Sequence, residues 1–340
     1  MRGNGQRRGI VANLVVAFGL AVVLAMGSFA RATPVTYEMV TVGNAGNAAD
    51  TTGYGAVAYD YQIGKYEVTA GQYTTFLNAV DAAGTQANSI YTPTVGISFN
   101  AGAPLGSRFA VQGSPNRPIN GTSWWSAARF ANWMHNGQGA GDTETGAYTL
   151  NGAAGGPAPA KNAGARYFIP TESEWYKAAY FSPILNGGAG GYYTYATQSN
   201  AFPGNTVGSA PNQANWYTGI LTDVGAYSGS GSFYGTFDQN GNVEEWNDLT
   251  GTAGPTRLWR GGANWDVGAG VMWGLSSSDR WPSWFGSLPD PSFDSGPIGF
   301  RLGASLESAV PEIDPAGLGS VLALVTGALG LLERRRSKTA

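Results

Sequence analysis

Apolar positions with helical spacing fall in three short windows along an otherwise turn-rich chain. In the first, Tyr73, Phe76, Leu77 and Val80 recur at intervals of three and four residues, which places them on one face of a helix. Thr69 and Gln72 stand just ahead of that face at the spacing of a capping box, in which two side chains satisfy N–H groups left over at the helix start. The second window covers residues 124–135, with Ser123 as its cap and Asn136-Gly137 as a left-handed stop. In the third, Thr171 and Glu174 follow Pro170 as another capping box and lead into Trp175, Ala178 and Ala179. Glycine-rich stretches at 152–156 and 187–191 read as long surface loops. There is no internal repeat, and no linker-like composition before residues 307–314.

Two longer apolar runs sit at the ends. Residues 10–26 carry no charge, follow Arg2, Arg7 and Arg8, and precede the small-residue sequence Ala30-Arg31-Ala32. That order predicts a secretory signal peptide over residues 1–32, removed by signal peptidase after Ala32. Residues 317–332 are apolar and end on Arg334, Arg335 and Arg336, a membrane-halting pattern with its C-terminus inside. Val310-Pro311-Glu312 precedes them. The order of Pro-Glu, apolar segment and arginine cluster resembles a PEP-CTERM sorting tail, although Ile313 stands where that tail usually has a second proline. The resemblance implies a linker over 304–315, a transmembrane sorting segment with its arginine cluster over 316–336, and an exosortase-type enzyme as partner. The expected location is an inner-membrane intermediate and then the envelope surface or exterior, with the membrane touched only by the terminal segments.

Composition narrows the rest. Apolar residues make up 43% of the chain and charged residues only 12%, about half the usual share. With 52 glycines, the chain suits a turn-rich single domain over the central stretch rather than two small ones. A formal charge of -3 gives no reason to expect nucleic acid. Cysteine is absent and His135 is the sole histidine. No thiolate site, no multi-histidine metal site and no cysteine nucleophile can therefore be built, and no disulfide can staple the loops. His135 sits at a helix end, where it is expected to bond last-turn carbonyls rather than act in catalysis.

Six segments bring a resemblance into focus. In order, they are Ile63-Gly64-Lys65-Tyr66-Glu67-Val68-Thr69, the stretch 124–133, Ile169-Pro170-Thr171-Glu172-Ser173-Glu174-Trp175, the stretch 238–246, Arg260-Gly261-Gly262 and Ile298-Gly299-Phe300-Arg301-Leu302. Together they resemble the formylglycine-generating enzyme (sulfatase-modifying factor) domain across residues 35–303. The resemblance implies one α/β (α+β) loop-rich domain related to the C-type lectin fold, with little regular secondary structure. Active members use two cysteines after the Arg-Gly-Gly motif to bind copper; counted from Gly262, those positions fall near Asp266 and Val271. A related branch uses iron on three histidines, which this chain lacks. Neither copper nor iron is expected, and His135 with Met272 would make a poor copper site. Formylglycine-generating oxidase activity is therefore not expected. Glu244 also departs from the family, which has tryptophan there.

The family's calcium pattern does carry over. Asp238 and Glu245, with the carbonyls of Gly241 and Val243, match one ion loop, and Asn215, Asp223 and the carbonyls of Trp216 and Gly225 match the second less closely. Oxygen donors on a tight glycine-containing turn suit a hard cation, and such calcium would be structural. Arg260 and Arg301 are expected in buried ion pairs, and residues 276–280 in a solvated loop. Trp265, Trp273, Trp281, Trp284 and Phe285 crowd the flank of the family's substrate groove and could form a platform for peptide or glycan, with two or three tryptophans partly exposed. The expectation is an exported, calcium-stabilised, non-redox protein that binds such a ligand, associated with the extracellular matrix. The alternative is an enzyme of different chemistry, hydrolase-like or oxidase, in the same groove. It would rest on Asp266, Asp279 or Glu244, and a close carboxylate pair would favour it.

Overall fold

The three helices form where capping and periodicity place them. Thr69 caps α1 (Ala70–Val80) with both arms of the capping box made, and Tyr73, Phe76 and Leu77 are buried while Val80 lies at the margin. Ser123 caps α2 (Trp124–His135), which is buried at every position but His135. A helix apolar on nearly all sides belongs in the middle of a core. Its one internal charge, Arg129, is held by both Glu144 carboxylate oxygens at 2.7 and 3.0 Å. Gly137 follows α2 at φ +81°, the left-handed stop. The second capping box, Thr171 with Glu174, opens α3 (Glu172–Tyr180).

This computed structural model describes residues 34–93, 96–264, 274–280 and 288–306. Its strands are short: β1 (Met39–Val42), β2 (Tyr61–Gly64), β3 (Ile97–Phe99), β4 (Phe109–Val111), β5 (Tyr167–Phe168), β6 (Phe181–Ser182), β7 (Gly191–Tyr192), β8 (Glu244–Asn247), β9 (Leu258–Arg260), β10 (Ile298–Gly299) and β11 (Gly303–Ser305). One sheet runs β1-β2-β11-β5, a second β10-β8-β9, and β3-β4 and β6-β7 are hairpins. In the three-stranded sheet β10 is parallel to β8, with Ile298 opposite Glu244, and β9 is antiparallel to it, with Arg260 opposite Glu245. That register sets the two C-terminal arginine motifs on either side of Glu245. Residues 187–190, expected in a surface loop, lie in the connection between β6 and β7, and Gly191 begins β7 opposite Ser182.

Aromatic rings fill the space between α1, α2 and β10. Phe130 meets Tyr73, Phe76, Trp133 and Phe300 at ring separations of 5.4–5.8 Å. Trp124, Trp125, Trp133, Trp175, Trp246 and Trp259 are all buried, so most described tryptophans serve the core. The architecture is a single loop-rich mixed α/β domain. No helix among the described residues is long and apolar enough to cross a membrane. The segments read as signal peptide, linker tail and sorting segment lie outside the described residues, apart from the first few positions of that linker.

Candidate functional site

The turn leading into β8 gathers the charge of the domain. Asp238 adopts φ +62°, Gly241 φ +82° and Asn242 φ +62°, so three of five residues take the left-handed conformation. At Gly241 a Cβ would lie 2.2 Å from the Asn215 carbonyl oxygen, so only glycine admits the strand that crosses there. Asn242 N–H donates to that same carbonyl at 2.9 Å, and the Asn215 and Asn242 side chains bond to each other at 2.9 Å. The Gly225 N–H donates to Asp238 Oδ2 at 2.5 Å. The two loops predicted to hold separate ions are thus tied into one structure.

Behind this turn lies Glu245, fully buried and gripped by Arg301 at 2.6 Å on each carboxylate oxygen. Trp175 Nε1 donates to the same carboxylate at 2.9 Å. Arg301 spends its remaining donors on the carbonyls of Gly64, Lys65 and Phe237, so all five guanidinium N–H groups are used. A third acid was not anticipated as part of this group. Glu67 is 1% exposed; its Oε1 accepts from Asn242 Nδ2 at 3.3 Å, and its Oε2 has no partner. Burial, and next the Asp238 charge, push the Glu67 carboxyl well above the usual range against the pull of Arg301. Burial likewise pushes Asp238 up to about 6. Three carboxylates face one guanidinium, and that imbalance favours either protonation or a bound cation.

The oxygens on this turn are of the hard type that calcium takes. Asp238, the spare lone pair of Glu245 Oε1 and the carbonyls of Gly241 and Val243 are hard oxygens on one turn, and the unpartnered Glu67 Oε2 lies in the same charged group. Among the described residues no three His, Cys, Asp or Glu side chains are arranged to hold a metal by themselves, so backbone carbonyls would have to take part. In the second predicted set, Asn215 Oδ1 accepts from the Thr218 hydroxyl, the Trp216 carbonyl accepts from Asn205 Nδ2 at 3.3 Å, and Asp223 is exposed.

The other candidates resolve one by one. Arg260 pairs with buried Glu172 at 2.6 Å and stands 5.0 and 5.1 Å from the Tyr54 and Tyr176 rings. Arg280 joins the same Glu172 at 3.0 and 3.1 Å. Residues 276–280 are therefore not the solvated loop expected: Ser277 is buried, its N–H donates to Thr194, and Arg260 binds the Ser277 and Asp279 carbonyls. Asp279 turns its carboxylate onto the Ser276 N–H at 3.0 Å, and burial raises its pKa. Glu244 is half-buried at the start of β8. His135 does not bond last-turn carbonyls through Nδ1; that nitrogen accepts from the Arg166 N–H at 2.9 Å. Asp266, Val271, Met272, Trp265, Trp273, Trp281, Trp284 and Phe285 lie outside the described residues.

Two residues before Asp266, Asn264 lines a cavity of about 200 Å³ together with Asn120, Gln112, Arg117, Pro118 and Leu221. Neither asparagine stood out in the sequence, since a lone asparagine carries no spacing signal.

A family model described as a sulfatase-modifying factor enzyme 1-like domain matches residues 20–305. The chain belongs to this family. Solved structures similar to this chain include Treponema denticola variable protein 1, at 18% identity and a TM-score of 0.46, covering 80% of this chain and 96% of that one. CarF matches at 22% identity and 0.48 over 80% and 99%, and PvdO from Pseudomonas aeruginosa at 20% and 0.45 over 81% and 99%. No curated protein matches the chain by sequence.

Proposed function

We propose that this sulfatase-modifying-factor-like protein is a non-redox member of its family: an exported, surface-sorted binding protein, associated with the extracellular matrix, whose loops are fixed by calcium and whose groove takes a peptide or glycan. The observation that carries the reading is the empty cysteine inventory: the positions of the two copper thiolates fall near Asp266 and Val271, and no thiol elsewhere in the chain could replace them. One alternative for chemistry is already engaged, since Asp279 closes its own turn. Calcium would bind Asp238, Glu245 and the carbonyls of Gly241 and Val243, and would supply the positive charge that Arg301 alone cannot. Export by signal peptidase and sorting by an exosortase-type enzyme rest on the two terminal segments.

The test is oxygen uptake by the purified protein, loaded with copper, in the presence of a cysteine-containing peptide. Uptake at the rate of the free metal is expected. Stoichiometric copper with turnover above that background would overturn the non-redox reading.

A further inference from the structure

The cavity beside Asn264 contains two groups that the protein leaves unsatisfied. Asn120 is 7% exposed and Asn264 1%, and the Oδ1 of each is buried without a hydrogen-bond partner. A buried polar atom left unpaired is destabilising, so two in one small cavity are unfavourable unless something else bonds them. Both side chains line the same space, on segments far apart in sequence: Asn120 just before the cap of α2, and Asn264 just after the Arg-Gly-Gly motif. The Asn264 backbone is held on both sides, as its N–H donates to the Asn242 carbonyl and its own carbonyl accepts from the Gly219 N–H.

The remaining lining defines what would fit. Arg117 is exposed and its guanidinium makes no ion pair among the described residues, while none of the described lining residues is acidic. Ala70, Pro118, Ile220 and Leu221 supply an apolar wall. On the same loop as Ile220, Tyr217 is 58% exposed and stacks on Trp216 with ring centroids 6.4 Å apart. A ligand must therefore donate hydrogen bonds to two carboxamide oxygens, present a negative charge to a guanidinium, and lay a C–H face on an apolar wall. A sugar ring carrying a carboxylate does all three: adjacent hydroxyls both donate and accept at the spacing of a carboxamide edge, the carboxylate pairs with Arg117, and the ring face is apolar. An extended peptide suits the small, partly closed cavity less well than one compact ring.

We infer that the Asn120–Asn264 cavity is a subsite for an acidic monosaccharide unit, of the hexuronate class, within the binding function proposed above, on which this inference rests. The test is saturation-transfer NMR and titration of the full protein with glucuronate, with methyl β-glucoside and a mixed peptide panel as comparison probes. Glucuronate is expected to bind, with methyl glucoside about tenfold weaker because it lacks the pair with Arg117. Arg117→Gln, an exposed change that leaves the fold intact, should remove that preference and its salt dependence. Asn120→Leu with Asn264→Leu should abolish glucuronate binding while leaving the unfolding midpoint no lower. Equal binding of both sugars, or glucuronate binding unchanged in Arg117→Gln, overturns the acidic-sugar assignment. Peptide binding that the asparagine variants do not affect overturns it too, while leaving the broader binding reading standing. Failure of every probe, combined with copper-dependent turnover, would overturn that broader reading as well.

Discussion

Two buried polar regions of this domain, one around Glu245 and one around Asn120 and Asn264, are built on opposite terms. At Glu245 every donor of Arg301 and both carboxylate oxygens are engaged, with neither side chain exposed. In the cavity, two carboxamides of similar burial have acceptors with nothing to bond. A closed network holds strands together, and its value is measured in stability. An open one leaves acceptors unspent, and its value appears only when a ligand arrives. Glu67, with one oxygen bonded and one orphaned, stands between the two.

The sharpest way to break this contrast is to cut the closed network. Arg301→Met leaves Glu245 buried and unpaired and should cost about 3–5 kcal/mol, read as the midpoint of urea unfolding. Removing both partners together, as Arg301→Met with Glu245→Leu, should recover much of that loss. A result in which the single change is tolerated would show that Glu245 is held by something other than Arg301.

A second buried ion pair offers a pH readout away from the candidate calcium turn. Asp248 and Arg257 meet at 2.7 Å with side chains no more than 1% exposed. Burial pushes the Asp248 carboxyl up to about 7, against the opposing pull of Arg257 and the Tyr148 hydroxyl. An acid whose pKa is raised in the fold binds its proton more tightly folded than unfolded, so its contribution is present at low pH and lost as pH rises from about 4 to about 7. The unfolding midpoint should fall across that window, and Asp248→Asn should flatten the slope.

Smaller effects separate scaffold from site further. Thr171→Ala removes the cap of α3, whose hydroxyl accepts from the Glu174 N–H, and should cost about 1 kcal/mol in thermal unfolding. Asn120→Leu with Asn264→Leu should cost nothing or raise the midpoint, because an apolar pair replaces two unsatisfied acceptors. Destabilisation comparable to the Thr171 change would place those asparagines in the scaffold after all.

How far the sequence reached follows from the range of its signals. The helices were legible because capping boxes and apolar periodicity are local: Thr69 with Gln72, and Thr171 with Glu174, act within one turn of chain. The family followed from six ordered motifs, and the ion pairing of Arg260 and Arg301 from their place in two of them. What sequence could not show depends on residues far apart. Glu67 meets Asn242 across 175 positions, and Arg301 meets the Gly64 carbonyl across 237. The strands of two to four residues carry too little periodicity to read. Residues 276–280 looked solvated because their serines are polar, but Arg260 and Thr194 draw them inward.

The most direct test of the calcium-fixed, non-redox account is a titration of the EDTA-treated protein with calcium and, separately, with copper, following the thermal unfolding midpoint and counting bound metal. A rise with calcium alone, at one ion per chain and lost in Asp238→Ala, is the expected result. An unchanged midpoint with calcium, or a rise specific to tightly bound copper, would contradict it.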